Sequence, residues 1–369
     1  MNYQARFPGL YYKVAGLLKG KITSKVGYTV MTEAVDDRKY EIDGVSVYRI
    51  CLKKLKPHGK ASEKEIMKAL AKTIDYCKEM DFIPNAIAAH WDNPQLEMMY
   101  HLKKVFNVPT CYIAHGASHF AVYGEEAQKY WDSVDVIGFR SAAIKRKFEL
   151  SDEYIKPHFM CYSGIPASYN DNTVERSFEQ ISTVAYVGTL IQRKYPSVII
   201  TALNKALGRN FCISYAGEGH EAETIRLESL RLNVAGNVKL LGRIERTEVI
   251  ELLDKSDLFI MISRGETFGL VYLEAMARGC ITIASRDEGF DGIIEDGING
   301  FLCKAGDAEE LTSIIMKINA MHPSERKRIS ESAMATAHEL TDENVASTYL
   351  EAIFNNSSFE CSSSLTRKG

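Results

Sequence analysis

The stretch ETFGLVYLEAMA, residues 266–277, follows the apolar run DLFIMIS at residues 257–263 after only Arg264 and Gly265. A short and continuously apolar run predicts a parallel β-strand that is covered on both faces. From Gly269 onwards the apolar positions have helical spacing, and Gly279 is a suitable left-handed C-terminal cap. The sequence therefore predicts a strand, a tight turn and a helix, which is the repeating unit of an α/β sheet.

The turn before this helix has the properties of a phosphate site. The first amides of a helix, here those of Gly269 and Leu270, have no partner inside the helix, and the helix dipole makes that end positive. Gly269 carries no side chain that would keep an anion at a distance. We therefore expect a phosphate group at the start of this helix.

Two carboxylates, Glu266 and Glu274, lie on either side of that turn. Glu274 lies about 7.5 Å along the helix axis from Gly269, where it could accept hydrogen bonds from both hydroxyls of a ribose. Glu266 could bind hydroxyls of an attached sugar, and we expect Thr267 and Phe268 to line the same pocket. The alternative interpretation is a pair of glutamates that complements the helix dipole on a solvated face.

The rest of the second half alternates between strand and helix patterns. Strands are predicted at residues 183–187, 211–216, 238–241, 258–262 and 281–284, with helices near 195–207, 220–233, 246–254 and 269–278. Such alternation predicts βαβ units whose ligands bind at the carboxyl ends of the strands. Asp307 is expected to cap a further helix in a capping box with Glu310. Two more helices are predicted at residues 324–339 and 342–354.

Composition limits the class of protein. With 369 residues, 46% hydrophobic and 25% charged, the chain is long enough for two domains. It has no run of eighteen apolar residues, and its start, MNYQARFPGLYYK, lacks the apolar core of a signal peptide. Eight cysteines are scattered singly, which predicts reduced and mostly buried thiols and a cytoplasmic location.

Charge is uneven along the chain. The first 165 residues carry a net charge of +5 and the remainder −8. A basic first half could rest on the anionic inner face of a membrane, while a solvated loop is the plainer interpretation of its densest cluster. That cluster consists of Lys53, Lys54, Lys56, His58 and Lys60.

Several segments of the second half share a family likeness. They are VAYVGTLIQRK at residues 184–194, YAGEGHE at 215–221, VKLLGRI at 238–244 and EDGINGFLC at 295–303. Together with ETFGLVYLEAMARG, and in the same order over roughly residues 180 to 350, they resemble the family 4 retaining glycosyltransferases, also called glycosyl transferases group 1. The resemblance implies the GT-B fold, in which two Rossmann-like doubly wound domains face a central cleft.

The implied domain organisation has an N-terminal acceptor-side domain at residues 1–168 and a C-terminal nucleotide-sugar-binding domain at residues 178–340. A C-terminal helix at 341–356 is expected to pack back on the first domain, and residues 357–369 to form a disordered tail. The first half shows later strands at 27–33, 45–50, 86–90, 109–115 and 134–139, but it opens with a glycine turn at Gly9. We therefore expect the first strand of the N-terminal domain to be missing.

The resemblance also implies a set of site residues. The catalytic candidates are His115, Glu266, Lys194 and Arg193. The donor-binding candidates are Gly9, Gly188, Gly217, Ile244, Thr267, Phe268, Gly269, Leu270 and Glu274. His115, at a strand end, would line the donor sugar as a neutral imidazole, although a histidine after a strand is often structural.

One cation of the expected phosphate clamp is absent, because relatives carry an arginine where this chain has Thr189. Arg193, beside the matched Lys194, is our candidate for its substitute. Cations at a helix start oppose the dipole, which favours an anion between them over a solvated helix end. His90 and Asn93 could bind the acceptor, or Asn93 and Pro94 could simply form a turn.

The implied activity is that of a hexosyltransferase: a sugar passes from a UDP- or GDP-linked donor to an acceptor hydroxyl, with retention, in polysaccharide or glycolipid synthesis. The chain has no Asp-x-Asp motif, and we expect neither a metal, a separate cofactor nor nucleic acid. Two alternatives remain: a GT-B relative with epimerase or phosphorylase chemistry, and a catalytically silent protein that binds sugar nucleotides.

Overall fold

The computed structural model describes residues 1–6, 33–54, 59–116, 124–149, 156–170 and 176–355. The first half contains two sheets, with strand orders β1-β3-β2 and β4-β5-β6-β7. The strands are β1 (Asn2–Arg6), β2 (Arg38–Ile42), β3 (Val45–Lys53), β4 (Ile87–His90), β5 (Thr110–Ala114), β6 (Val136–Phe139) and β7 (His158–Met160). The helices are α1 (Glu63–Glu79), α2 (Gln95–Phe106), α3 (Ala127–Asp132) and α4 (Ala142–Glu149).

The expectation that the first strand is missing was wrong. β1 opens the chain and pairs in parallel with β3 over five residues. Its sequence, NYQAR, is polar and shows no alternation of apolar residues, so the strand forms through its pairing with β3 and not through a pattern of its own. Gly9 and nearly all of the strand predicted at 27–33 lie outside the described residues.

The second half forms one parallel sheet of six strands in the order β10-β9-β8-β11-β12-β13. The strands are β8 (Thr183–Val187), β9 (Cys212–Ala216), β10 (Val238–Gly242), β11 (Leu258–Ile260), β12 (Ile281–Ser285) and β13 (Phe301–Cys303). The helices are α5 (Pro196–Leu207), α6 (Glu221–Arg231), α7 (Arg246–Asp254), α8 (Leu270–Ala277), α9 (Ala308–Ala320), α10 (Pro323–Glu339) and α11 (Asp342–Asn355). The predicted strands and helices of this half are confirmed.

The direction of strand succession reverses between β8 and β11. In a doubly wound sheet this switch point leaves a crevice at the carboxyl ends of the two strands. β11 is completely buried, as its continuous apolar sequence predicts, and so is most of the sheet around it. The segments that follow β8 and β11 therefore meet in a crevice above a rigid core.

Asp307 caps α9 as predicted, accepting hydrogen bonds from the amides of Glu309 and Glu310. The Glu310 side chain does not complete the capping box. It instead accepts from Arg286, at 2.8 Å, and from the amide of Lys304, at 2.8 Å. The predicted box was wrong because a cation on a neighbouring segment competes for the same carboxylate.

The chain crosses between its two halves a second time before α11. A parallel bridge pairs Ile165 with Thr341, and the Ile165 amide donates to the Leu340 carbonyl at 3.1 Å. α11 then packs on the first half, where Ile353 joins the core below β5 and β6 and Tyr349 contacts the ring of Phe159.

Seven cysteines fall in the described chain. All seven are free thiols and five of them are buried, while Cys361 lies outside the described residues. Among the helices of the described ranges, none has both the length and the apolar character that crossing a bilayer requires.

Candidate active site

The turn after β8 depends on closely packed glycines. Gly217 has a φ of 145°, and a Cβ at that position would overlap the carbonyl oxygen of Gly188. The amide of Gly188 also donates to the Ala216 carbonyl at 2.9 Å. These contacts hold the ends of β8 and β9 together.

The helix α8 begins where the sequence predicts. Gly269 is its N-cap with a φ of 88°, in the left-handed region that favours glycine, and its Cβ would overlap the ring of Tyr272. Gly269 supplies no side-chain cap, so the role of the first amides of α8 as an anion site stays a prediction. Gly279 ends the helix with a φ of 74°, as predicted.

Glu266 lies in the turn between β11 and α8, beside two cations. Its Oε2 atom is 3.5 Å from Nζ of Lys194 and 3.8 Å from Nη1 of Arg193. Within the described residues this buried oxygen accepts no hydrogen bond. An oxygen that lies near two cations but accepts no hydrogen bond from the described residues could accept one from a ligand hydroxyl.

Lys194 is the more buried of the two cations, with 13% of its side chain exposed. Burial lowers the pKa of Lys194, although the Glu266 carboxylate opposes that shift. Its ammonium group lies close to the position that a Cβ of Gly188 would occupy. Lys194 therefore carries its charge at the switch point itself.

Arg193 stands further to the side. Its Nη1 donates to the carbonyl of Arg264, at 3.0 Å, and to that of Gly265, at 3.4 Å. These contacts support the turn that carries Glu266. The structure therefore gives Arg193 a clear supporting contact, and its predicted role as a phosphate ligand stays a prediction.

Glu274 lies on α8 with 13% of its side chain exposed. Its Oε1 accepts from the hydroxyl of Tyr169 at 3.2 Å and from Nη2 of Arg246 at 3.2 Å. Burial raises the pKa of Glu274, and the charge of Arg246 and the hydrogen bonds oppose the rise. Neither partner is predicted from the sequence.

One signal could have found Arg246. It is the first residue of α7, where the helix dipole disfavours a cation unless an anion is nearby. Tyr169 lies in a short 3-10 turn, Ala167–Asn170, for which the sequence offers no such signal. Ile244, just before α7, is half-buried against the core.

On the first-domain side, His115 follows β5 and meets His90, which ends β4. Nε2 of His115 and Nδ1 of His90 are 3.0 Å apart, and Nε2 of His90 lies 3.4 Å from the hydroxyl of Tyr349. Burial, followed by the charge of Arg140, lowers the pKa of His90. Burial and the neighbouring His90 lower the pKa of His115 to about 4, so both rings are neutral at pH 7.

Trp91 packs against this pair. Its ring stacks on that of His115 with centroids 4.3 Å apart and planes 16° from parallel. Trp91 has a left-handed φ of 71° and 55% of its surface exposed. A cavity of about 830 Å³, lined mostly by apolar side chains between β3 and β4, reaches Trp91 and His90.

Two contacts join the sides of the cleft near α8. Oγ1 of Thr267 donates to the backbone carbonyl of His115 at 3.3 Å. Phe268 is buried between the rings of Tyr162 and Phe290, with the Arg140 guanidinium 5.6 Å from its centroid. The turn that carries Glu266 is thus brought next to His115.

Asn93 is engaged in local structure. Its Oδ1 accepts from Lys54 at 3.4 Å and its Nδ2 donates to the Gly59 carbonyl at 3.3 Å, which favours the turn interpretation over acceptor binding. Lys54 itself is buried, and Lys60 pairs with Glu126. The basic cluster is therefore not a uniformly exposed patch, and two of its members, Lys56 and His58, lie outside the described residues.

Comparison with known proteins agrees with this architecture. HepE from Anabaena, crystallised in complex with UDP, has a TM-score of 0.66 at 17% identity, over 83% of this chain and 86% of that one. The fold is therefore GT-B, with two Rossmann-like domains facing a cleft. Residues 170–336 match the family model of glycosyl transferases group 1.

Two curated relatives match parts of the chain. The N-acetyl-alpha-D-glucosaminyl L-malate synthase of Bacillus anthracis is 36% identical over 119 residues, 31% of this chain and 31% of that protein. The lipopolysaccharide core biosynthesis glycosyltransferase LpsE of Rhizobium meliloti is 29% identical over 171 residues, 46% of this chain and 49% of that protein. The matched region spans less than half the length of either relative.

Proposed function

We propose that this chain is a retaining glycosyltransferase that transfers a hexosyl group from a UDP- or GDP-linked donor to a hydroxyl of a glycan or lipid-linked acceptor. The observation that carries the proposal is the placement of Glu266 and Glu274 on either side of the α8 N-terminus, with Lys194 3.5 Å from Glu266. The relatives named above support the class of reaction, and the UDP complex of the structural neighbour supports the class of donor.

In this proposal the diphosphate lies against the amides of Gly269 and Leu270. The ribose hydroxyls donate to Glu274, and hydroxyls of the transferred sugar donate to the unsatisfied oxygen of Glu266. Negative charge grows on the diphosphate as the sugar departs, so the helix amides and Lys194 stabilise the transition state more than the ground state.

His115 completes the sugar pocket from the opposite side. Because its pKa is about 4, the ring is neutral and can exchange a hydrogen bond with a sugar hydroxyl without adding charge beside the reacting carbon. Its carbonyl contact with Thr267 keeps it next to the turn that carries Glu266.

For the chemical step we propose attack from the side of the leaving group. The bond between the anomeric carbon and the diphosphate oxygen breaks, and the acceptor oxygen bonds to the same face of that carbon. The acceptor proton passes to the departing diphosphate oxygen. The proposal uses no resident metal or cofactor and places the reaction in the cytoplasm, where contact with the inner membrane face remains a prediction.

The test is turnover by the purified chain on a panel of UDP- and GDP-sugars with glycan and glycolipid acceptors. We expect donor consumption with a new glycosidic bond of retained configuration, read by NMR. Glu274→Ala should lower kcat/KM by about 100-fold or more, because a buried ribose contact is lost. Unchanged turnover in Glu274→Ala would contradict the proposal.

A silent sugar-nucleotide-binding protein is the second candidate. The observation in its favour is Thr189 in place of the usual arginine, together with the engagement of Arg193 by backbone carbonyls. Binding of UDP without turnover on the whole panel would support it. A new sugar epimer or a sugar phosphate among the products would instead indicate epimerase or phosphorylase chemistry.

A further inference from the structure

The carboxylate of Glu274 is held asymmetrically. The hydroxyl of Tyr169 and Nη2 of Arg246 both donate to the same oxygen, Oε1, each at 3.2 Å. Nε of Arg246 donates in turn to the hydroxyl of Tyr169 at 2.9 Å. Oε2 takes no hydrogen bond from the described residues. The two oxygens of one carboxylate thus have different surroundings.

Tyr169 is held in place by burial and by hydrogen bonds to its backbone and its side chain. It is 3% exposed, and its backbone carbonyl accepts from Nη1 of Arg278 at 3.0 Å. Arg278 follows α8 directly and its Nε pairs with Asp254 of α7 at 2.6 Å. The 3-10 turn is therefore tied to both helices that meet at Glu274, and the Tyr169 hydroxyl has little freedom to move away from Oε1.

A cation at the position of Arg246 is favourable only if an anion lies nearby. Arg246 opens α7, where the helix dipole opposes a positive charge, and 56% of its side chain is exposed. The guanidinium lies over the ring of Tyr169, 5.1 Å from the centroid. The hydrogen bond to Tyr169 raises the pKa of Arg246, and the charges of Glu274 and Asp342 act in the same direction.

We propose that Arg246 and Tyr169 are positioning residues of the nucleoside site, which hold Oε1 of Glu274 and leave Oε2 to accept the ribose hydroxyls. The role rests on the proposed function, because it presumes a nucleotide in the crevice. It goes further by dividing the carboxylate into a structural oxygen and a binding oxygen. It also assigns the orientation of Glu274 to two residues outside its own strand-turn-helix segment.

The two residues also keep Glu274 ionised. Burial raises the pKa of the carboxyl, while the charge of Arg246 and the two hydrogen bonds lower it. Removal of either partner takes away an interaction that favours the ionised form, so the pKa of Glu274 should rise further. A protonated carboxyl is a poorer acceptor for hydroxyls, and nucleotide binding should then weaken at a higher pH than in the wild type.

The experiment measures the Kd for UDP, or for GDP if the wild type binds only GDP, by calorimetry from pH 5 to pH 8 in the wild type, Tyr169→Phe and Arg246→Gln. Arg226→Gln is the matched control, because Arg226 is exposed on α6 and forms an ion pair with the nearby Glu223. Each variant is compared with the wild type at the same pH, so titration of the UDP phosphate affects all of them alike. A carbon-13 titration of the Glu274 carboxyl in the free proteins is measured in parallel.

We expect the Kd at pH 7 to rise about two- to fivefold in Arg246→Gln, whose guanidinium is partly solvated. In Tyr169→Phe it should rise about tenfold, because a buried hydroxyl is lost. In both variants the pH at which binding weakens and the pKa of Glu274 should move upward, while Arg226→Gln follows the wild type.

A purely structural role for Tyr169 and Arg246 would lower the stability of the protein without moving these midpoints. Midpoints that coincide with the wild type, in a protein that binds UDP and loses it in Glu274→Ala, would overturn this inference and leave the proposed function standing. Failure of the wild type to bind either UDP or GDP would overturn both.

Discussion

The polar groups on the second-domain side of the cleft are charged and lie against one another, whereas those on the first-domain side are neutral rings. Glu266 faces Lys194, and Glu274 faces Arg246. Across the cleft, His115 and His90 share a hydrogen bond and both have lowered pKa values. The ion pairs thus lie on the side where a diphosphate would bind, while the histidine pair opposite them is neutral and lies near the charge of Arg140.

The difference follows from the position of each side in its sheet. The second-domain groups lie at a switch point beside a helix N-terminus, where backbone dipoles favour anions. The anions in turn stabilise the cations that lie next to them. The histidines lie at the ends of β4 and β5 in the other sheet, where burial is the largest cause of their lowered pKa values and the charge of Arg140 acts in the same direction. The cleft therefore has a charged wall, which carries the ion pairs of Glu266 and Glu274, and a neutral wall, which offers the histidine rings for hydrogen bonding and stacking.

The largest expected effect is on the charged wall. Lys194→Gln removes the cation that would stabilise the departing diphosphate, and kcat should fall about 100- to 1,000-fold. Turnover with the preferred donor measures this. Lys205→Gln, an exposed lysine of α5 that pairs with Glu309, is the control and should match the wild type. A loss of less than about threefold in Lys194→Gln would remove Lys194 from the phosphate site.

The next effect concerns the backbone that supports this wall. Gly217→Ala should destabilise the protein by about 2–4 kcal/mol, because a Cβ would overlap the Gly188 carbonyl and the φ of 145° is unfavourable for alanine. Thermal unfolding should show a fall in Tm of roughly 5–12 °C. Gly236→Ala meets no atom within 4 Å and serves as the control. Equal Tm values for the two variants would contradict the close packing of the crevice.

The smallest effect tests the neutral wall through pH. The pKa of His115 is about 4 in the folded protein and about 6.5 in an unfolded chain. Between these values the unfolded state binds a proton that the folded state does not, so stability falls as the pH drops from 6.5 towards 4. Since the ring is only half-buried, the loss due to His115 should be about 1 kcal/mol or less.

His115→Gln removes this titration and isolates its contribution. The drop in Tm between pH 6.5 and pH 4.5 should be smaller in the variant than in the wild type, although His90 continues to contribute in the same direction. A variant that loses as much Tm as the wild type over this range would show that His115 is not held neutral by the fold.

The sequence predicts the second domain closely because its signals are local. The apolar run before Arg264, the glycine at position 269 and the cap at Asp307 each depend on neighbours within a few residues, and all three are found as expected. The placement of Glu266 and Glu274 around α8 follows from the same local pattern. Their roles towards a ligand are separate from this and stay predictions.

The features that escaped prediction depend on contacts between distant positions. Tyr169 reaches Glu274 across 105 positions, and His90 meets Tyr349 across 259. The sequence of β1 has no strand pattern, and the strand forms because it pairs with β3. Such pairings arise from the order of strands and the path of the chain, which periodicity along one segment does not encode.

The bridge between Ile165 and Thr341 has a consequence for motion. The two places where the chain passes between the domains lie side by side, joined by hydrogen bonds in both directions between Ile165 and the segment 340–342. Gly164 fits there because a Cβ would meet the backbone of Asp342. Because the two crossings are hydrogen-bonded to each other, we expect any rotation of one domain against the other to pivot near Ile165 and Thr341.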